Sequence, residues 1–153
     1  MDAQADIIVP VYNERDSLPS LLARLRALPD FPRYRLICVD NASSDGSADY
    51  LAAQPDVTLV RHPRNMGYGA SLRSGMQAAQ TERFVLIDAD GEYPPECIPA
   101  LLAALDEHSV VYASRLLGKL SPEAAGMTPL KWWGNRIISQ AYNLLFGQRT
   151  TDL

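Results

Sequence analysis

Cysteine is scarce in this sequence of 153 residues. Only Cys38 and Cys97 occur, far apart and each in an apolar segment. Two isolated cysteines exclude a disulfide framework, and they lack the close spacing of zinc ligands. We therefore expect both to be free, buried thiols in a reducing compartment, which favours a cytoplasmic location.

Long hydrophobic runs are also absent. Nowhere do about 18 apolar residues follow one another, as a membrane-spanning helix requires. The amino-terminal sequence MDAQADIIVPV has neither a basic segment nor a long apolar core, so no secretory signal is expected. A length of 153 residues is typical of one domain, and we expect a single soluble domain over residues 1–153.

Charge of one sign does not dominate the sequence. It has 14 Lys and Arg and 18 Asp and Glu, for a net charge of −4, and the two signs are interspersed. Binding to nucleic acid requires a basic patch or stripe on one face of the domain. We therefore expect no nucleic acid partner.

Two common phosphate-binding loops are missing. No G-K-[ST] tripeptide occurs, which excludes a P-loop. Gly67 and Gly69 form a G-x-G, but Leu72 stands where a dinucleotide-binding loop has glycine, and the first strand–helix turn contains no glycine. The segment HPRNMGYGAS can still hold an anion through backbone N–H groups at a helix start, with Arg64 adding positive charge.

Short apolar runs alternate with helical patterns along the chain, which predicts an α/β fold with a mostly parallel sheet. Helices are predicted between the strands, with Ser47 as the N-cap of the second, and another in WWGNRIISQAYNLLFGQR after a loop over 116–131. Right-handed crossovers bring the carboxyl ends of the strands to one edge, where α/β sheets bind ligands. The predicted strands are 6–11, 34–40, 57–62, 83–90 and 109–114.

An acidic cluster, LIDADGEYPPE, ends the fourth of these runs. Asp88, Asp90 and Glu92 occupy alternate positions, about 6.5–7 Å apart along a strand. Like charges this close repel one another unless a cation compensates them, and oxygen ligands with a few waters suit Mg²⁺. The alternative is that the three acids only favour the amino end of the next helix. The spacing alone does not decide between the two interpretations.

Other strand ends carry side chains suited to a nucleoside. Tyr12 can cover a flat ring, and Glu14 can reach a sugar hydroxyl. Asp40 can accept hydrogen bonds from the ring N–H groups of a base such as uracil or guanine. The alternative is that the polar residues at these strand ends only form turns or helix caps.

Taken in order, the motifs VPVYNE, VDNASSDGS, RNMGYGAS, DADGEYPPE and ASR resemble glycosyltransferase family 2. They are most similar to the branch that transfers sugars to dolichol and other polyprenyl phosphates. The resemblance implies a GT-A fold, a UDP- or GDP-linked sugar donor, a divalent metal (Mg²⁺ or Mn²⁺) and inversion at the anomeric carbon.

The resemblance also implies roles for individual residues. Those implied to bind the donor nucleotide are Pro10, Tyr12, Glu14, Asp40 and Asp88, and the positive charge of Arg64 adds that residue to the set. Those implied to hold the metal are Asp88, Asp90 and Glu92. On the acceptor side, Arg115 matches an arginine that meets phosphate, and Asp152 matches a catalytic base.

Two departures from the family pattern matter. Asn41 follows Asp40 where the dolichol-type enzymes usually have a second aspartate, and the sequence ends where the family continues with a stretch containing Gly and Arg. We therefore expect residues 1–115 to bind the nucleotide sugar and 116–153 to form a partial acceptor side. A truncated, non-catalytic nucleotide-sugar-binding module is the alternative function, and a nucleotidyltransferase is a third.

The segment that contains Trp132 and Trp133 has a further possible role. Its apolar residues, together with Lys131 and Arg136, suit an amphipathic helix at a membrane surface. Packing of the same apolar face against the sheet is the alternative.

Overall fold

The computed structural model describes residues 4–114, 128–147 and 149–151. Its contacts divide the chain into two compact units, Met1–Ser109 and Val110–Leu153, which we describe separately. The first unit alternates strands and helices: β1 (Ala5–Val11), α1 (Leu18–Arg26), β2 (Tyr34–Asp40), α2 (Ser47–Ala52), β3 (Val57–Arg61), α3 (Tyr68–Ala78), β4 (Phe84–Leu86) and α4 (Ile98–Ala104), with short 3₁₀ helices at Phe31–Arg33 and Pro95–Cys97. The second contains α5 (Pro129–Phe146).

The sheet is parallel, with the strand order β3-β2-β1-β4. Val11 at the end of β1 pairs with Asp40 at the end of β2, and Asp40 pairs with Arg61 at the end of β3. The predicted α/β fold is therefore confirmed. The chain adds β2 and β3 on one side of β1 and then crosses to the other side of β1 to add β4. Parallel α/β sheets bind ligands at the point where the strand order changes in this way, here between β1 and β4.

The central strand β1 is buried along all of its length. On one face Ile7 and Val9 pack in a cluster with the leucines of α1, whose predicted apolar stripe is buried. On the other face Ile8 packs with Ile37 and Val39. Alternation of side chains along a strand therefore gives the sheet two covered faces.

Cys38 lies in this core. Burial raises the pKa of its thiol to about 12, so the group stays protonated near neutral pH. Cys97 is half-buried, and neither cysteine forms a disulfide.

Three local predictions are wrong. β4 covers only Phe84–Leu86, because β1 pairs with it only from Asp6 to Ile8 and the chain then leaves the sheet. Residues 109–114 form no strand, since a β-rich run needs a pairing partner as well as β propensity. Ser47 is not an N-cap: Gly46, at φ 89°, takes that position, and the Ser47 hydroxyl accepts a hydrogen bond from the Glu14 N–H instead.

The second unit is organised around α5. The Thr128 hydroxyl accepts from the Lys131 N–H at 3.4 Å, and Gly147, at φ 64°, ends the helix. The helix starts earlier than the predicted segment because Thr128 and the following proline form a favourable first turn. Within the described parts of the chain, no helix combines the length and apolar character needed to cross a bilayer.

Asp6, at the amino end of the sheet, is completely buried. One of its oxygens accepts hydrogen bonds from the backbone N–H groups of Gln80 and Thr81, both at 2.8 Å, and from the Thr81 hydroxyl at 2.7 Å. The other lies 3.1 Å from the Arg35 guanidinium. One carboxylate thus fixes the turn between α3 and β4 to the central strand.

Replacement of Asp6 by alanine is expected to lower the free energy of unfolding by about 3 kcal/mol, because it leaves several donors without their acceptor. Urea denaturation followed by circular dichroism measures the loss. Asp49→Ala, at an exposed carboxylate on α2, is the control and should leave the midpoint unchanged. Equal midpoints for both variants would contradict this account of Asp6.

Gly75 lets α3 lie directly on the sheet. A Cβ atom at this position would stand 2.3 Å from Cγ2 of Ile8, whereas a Cβ at Gly69 in the same helix would meet nothing within 4 Å. We expect Gly75→Ala to destabilise the fold by about 1–3 kcal/mol, despite the better helix propensity of alanine. Gly69→Ala should be neutral or stabilising. Thermal denaturation of the two variants tests this, and a stable Gly75→Ala protein would refute the close packing.

Candidate functional site

A cleft of about 470 Å³ lies at the carboxyl edge of the sheet. Its walls come from the end of β1, the loop after β2, the start of α3 and the segment after β4. This is the position at which the strand order reverses, so the fold itself creates the opening. The lining residues are Pro10, Val11, Tyr12, Glu14, Asn41, Asn65, Gly67, Tyr68, Ser71, Asp88, Ala89 and Asp90.

Hydrogen bonds tie the loop after β1 to the loop after β2. The Asn13 N–H donates to the Ser43 hydroxyl at 2.9 Å, and the Glu14 N–H donates to the Ser47 hydroxyl at 3.0 Å. Asn13 adopts φ 57°, a left-handed conformation that asparagine tolerates better than most residues. These contacts hold Tyr12, half of whose surface is exposed, at the rim of the cleft.

Asp45 also links the segments that follow β1 and β2. Its carboxylate accepts from the Ser47 hydroxyl at 2.6 Å and from the Arg15 N–H at 2.9 Å. Burial acts to raise the pKa of Asp45, but these hydrogen bonds outweigh it and lower the pKa below its ordinary value. An ionised carboxylate therefore links these two segments near neutral pH.

The acidic segment after β4 forms the opposite wall. Asp88 accepts a hydrogen bond from the Tyr68 hydroxyl at 2.8 Å, and Asp90 accepts one from the Glu92 N–H at 2.9 Å across a turn in which Gly91 has φ 76°. Asp88 and Asp90 line the cleft, but Glu92 does not. Among the residues that the structure describes, no three His, Cys, Asp or Glu side chains converge in a metal-binding group.

The donor atoms at this wall nevertheless suit a hard divalent cation. Asp88 and Asp90 present carboxylate oxygens to the cleft, whose lining includes no His or Cys. Mg²⁺ prefers such oxygen ligands, and it usually takes only one or two carboxylates and completes its shell with water and substrate phosphate. Two acids on the cleft wall therefore fit a metal that is bound together with a phosphate ligand.

The structure does not gather every residue that the sequence singled out. Pro10, Tyr12, Glu14, Asp88 and Asp90 line one cleft.

Asp40 and Arg64 lie outside the lining. Asp40 is only 2% exposed, and it accepts a hydrogen bond from the Ser43 N–H at 3.3 Å. Arg64 is exposed. Arg115 and Asp152 fall outside the described residues.

Four polar lining residues were given no role in the site from the sequence: Asn41, Asn65, Tyr68 and Ser71. The Tyr68 hydroxyl contacts the acidic wall directly through its hydrogen bond to Asp88. Partial burial is the larger cause that raises the pKa of this hydroxyl, and the hydrogen bond to Asp88 is the second. Their positions in the sequence could have identified two of these residues. Asn41 directly follows a predicted strand, and Asn65-x-Gly67 precedes a predicted helix.

The sequence matches "Glycosyl transferase family 2" over residues 6–151. Two curated relatives are each named undecaprenyl-phosphate 4-deoxy-4-formamido-L-arabinose transferase. The one from Shewanella sediminis is 38% identical over 108 residues, or 66% of this chain and 33% of the relative. The one from Serratia proteamaculans is 38% identical over 111 residues, or 68% of this chain and 34% of the relative. The chain thus spans about a third of the length of these relatives.

Solved structures share the fold. A mannosyltransferase from Pyrobaculum calidifontis, in complex with GDP-Man and Mn²⁺, matches with a TM-score of 0.61 and 26% identity over 72% of this chain and 34% of that one. The TarS protein of S. aureus, in complex with UDP-GlcNAc, matches with a TM-score of 0.56 and 23% identity over 71% of this chain and 32% of that one. The second likeness concerns the fold alone. Together with the family match over nearly all of its length, these findings show that the chain belongs to glycosyltransferase family 2 and has the GT-A fold.

Proposed function

We propose that this chain is the donor-binding part of an inverting glycosyltransferase that depends on Mg²⁺ or Mn²⁺. The donor is a sugar linked to UDP or GDP, and the acceptor is a polyprenyl phosphate. Support comes from the family match, from the name of the curated relatives and from the GDP-Man and Mn²⁺ bound to the mannosyltransferase structure. The activity of the whole protein is part of the proposal, because the chain spans about a third of those relatives.

The observation that carries the proposal is the charge of the cleft. Among the described residues that line it, Glu14, Asp88 and Asp90 are acidic and none is Lys, Arg or His. A nucleoside diphosphate is itself strongly anionic, so these carboxylates would repel it. A divalent cation held by Asp88 and Asp90 would offset that repulsion. A cleft of this shape and charge therefore suits a nucleotide that arrives with a metal.

The nucleoside end of the donor belongs at the β1 wall. Tyr12 is 49% exposed at the rim and can cover one face of a base. Glu14 accepts a hydrogen bond from the Ser17 hydroxyl at 2.6 Å, which orients its carboxylate for a ribose hydroxyl. Pro10 lines the same wall. Asp40 ends the neighbouring strand, buried and outside the lining, so its carboxylate would have to become exposed to pair with the ring N–H groups of uracil or guanine. Arg64 would add positive charge near the diphosphate.

The diphosphate end belongs at the acidic wall. Asp88 and Asp90 would hold the cation, and Glu92 would act on it through water. When bound, the cation neutralises charge that develops on the departing nucleoside diphosphate. Tyr68 orients Asp88 through its hydrogen bond, and the short β4 lets both aspartates leave the sheet toward the cleft.

The acceptor end involves residues carried over from the family resemblance. Arg115 would hold the acceptor phosphate through charge-assisted hydrogen bonds, and Asp152 would serve as the base. A phosphate acceptor is already anionic near neutral pH and needs less help from a base than a hydroxyl does.

A polyprenyl chain requires access to lipid. Apolar side chains of α5 such as Ile137, Leu144 and Leu145 are exposed, and they would lie at the cytoplasmic face of a membrane as a peripheral contact.

Nucleotide binding is expected to require the cation. Isothermal titration with UDP and with GDP should give at least about tenfold higher affinity in MnCl₂ than in EDTA for one of the two nucleotides, because the metal offsets charge repulsion in the cleft. Asp88→Asn and Asp90→Asn should each weaken the metal-dependent part. Asp49→Asn, on exposed α2, is the control and should bind like the wild type. Equal affinity with and without metal would contradict the proposed role of the acids.

Transfer is expected to depend on the acceptor phosphate. With a radiolabelled UDP- or GDP-linked sugar and MnCl₂, label should appear on undecaprenyl phosphate in detergent but not on undecaprenol, since only the former brings an anionic nucleophile. Arg115→Ala should raise the KM for the lipid more than it lowers kcat. Donor binding without transfer to either lipid would favour the alternative, a non-catalytic nucleotide-sugar-binding module.

A further inference from the structure

A buried polar cluster lies behind the α3 wall of the cleft. His62 is only 9% exposed, and its two ring nitrogens each have a partner: Nδ1 lies 2.9 Å from Oδ1 of Asn41, and Nε2 lies 2.9 Å from the hydroxyl of Ser74. Asn41 is itself 5% exposed and lines the cleft. A histidine buried between two side chains fixes both of them.

Asn41 in turn holds the turn that precedes α3. Its Oδ1 also accepts from the Met66 N–H at 2.9 Å, and its Nδ2 donates to Oδ1 of Asn65 at 2.9 Å. The same Asn65 oxygen accepts from the Gly67 N–H at 3.0 Å. The cluster therefore bonds two successive backbone N–H groups of the turn, and α3 begins at the next residue, Tyr68.

Two backbone donors determine the orientation of both amides. A backbone N–H can only donate, so the Asn41 atom facing Met66 and the Asn65 atom facing Gly67 must be oxygens. The Asn41 atom facing Asn65 must then be nitrogen. Because the Asn41 oxygen can only accept, His62 carries its proton on Nδ1 and receives a hydrogen bond from Ser74 at Nε2 when it is neutral.

An amide is the chemical group that this position requires. Asn41 accepts from His62 and Met66 and donates to Asn65 at the same time. Aspartate at position 41 would keep the first two contacts but would place a carboxylate oxygen against the oxygen of Asn65. Asn65 would then have to rotate its amide and abandon the Gly67 N–H.

We propose that Asn41 and His62 are positioning residues of the donor cleft. Asn41, oriented by His62, sets the Asn65–Gly67 turn and with it the wall formed by Tyr68 and Ser71. This inference rests on the proposed nucleotide site and adds to it a buried pair that acts through the shape of the wall.

Substitutions of His62 separate its two contacts. The amide of His62→Asn stands near the position of Nδ1 and keeps the contact with Asn41, whereas the amide of His62→Gln stands near Nε2 and keeps only the contact with Ser74. His108→Gln, at an exposed histidine, is the matched control. Asn41→Asp tests the amide requirement independently, and thermal denaturation confirms that each variant is folded.

Two measurements report on these variants. In titrations with UDP and GDP plus MnCl₂, His62→Gln and Asn41→Asp should weaken binding by about tenfold, because loss of the hydrogen bonds that support a binding residue commonly has an effect of this size. His62→Asn and His108→Gln should keep most of the affinity. In the nucleotide-free protein, amide hydrogen exchange at Met66 and Gly67 should speed up in His62→Gln. In Asn41→Asp it should speed up at Gly67 alone, because Met66 keeps its acceptor.

Equal losses in His62→Asn and His62→Gln would overturn the proposal, since they would reduce His62 to a packing residue. Unchanged exchange at Met66 and Gly67 would overturn it as well. If the wild type binds a nucleotide and all variants bind it equally, the positioning role fails while the proposed function stands. If the wild type binds neither nucleotide, the proposed function fails, and the role of the pair in a donor site fails with it.

Discussion

The central position of β1 is the constraint on which both the core and the cleft depend. Its seven residues are buried, and its side chains contribute to apolar clusters on both faces of the sheet. Because β2 and β4 pair with opposite edges of β1, the loops that follow these strands diverge. The space between them becomes the cleft, with Tyr12 on one side and Asp88 on the other.

Charge then decides what this space can hold. The chain leaves the sheet after the short β4 and places Asp88 and Asp90 in the lining of the cleft. Glu14, in the loop after β1, lines the same cleft, and no Lys, Arg or His is among its described lining residues. Hydrogen bonds from Tyr68 and from the Glu92 N–H orient the two aspartates. Hydrogen bonds of uncharged amides and hydroxyls, together with those of ionised Asp45, hold the remaining walls.

The sequence predicted elements that depend on local pattern. The run 34–40 is β2 in the structure, and the leucine stripe of α1 is buried as expected, because continuous apolar runs and 3.6-residue periodicity are local signals. The length of β4 depends on its pairing with β1, and the contacts of Asn41 join it to residues 21 and 24 positions away. Contacts between residues this far apart produce no periodic pattern in the sequence. The acidic residues after β4 could therefore be predicted from the sequence, but the buried polar cluster around Asn41 could not.

The most direct test of the account is a crystal of the chain grown with MnCl₂ and either UDP or GDP, with anomalous diffraction recorded at the manganese edge. We expect a manganese peak within about 2.3 Å of an oxygen of Asp88 or Asp90 and of a diphosphate oxygen, with the base beside Tyr12. A nucleotide bound in the cleft without manganese, or manganese bound away from both aspartates, would contradict it.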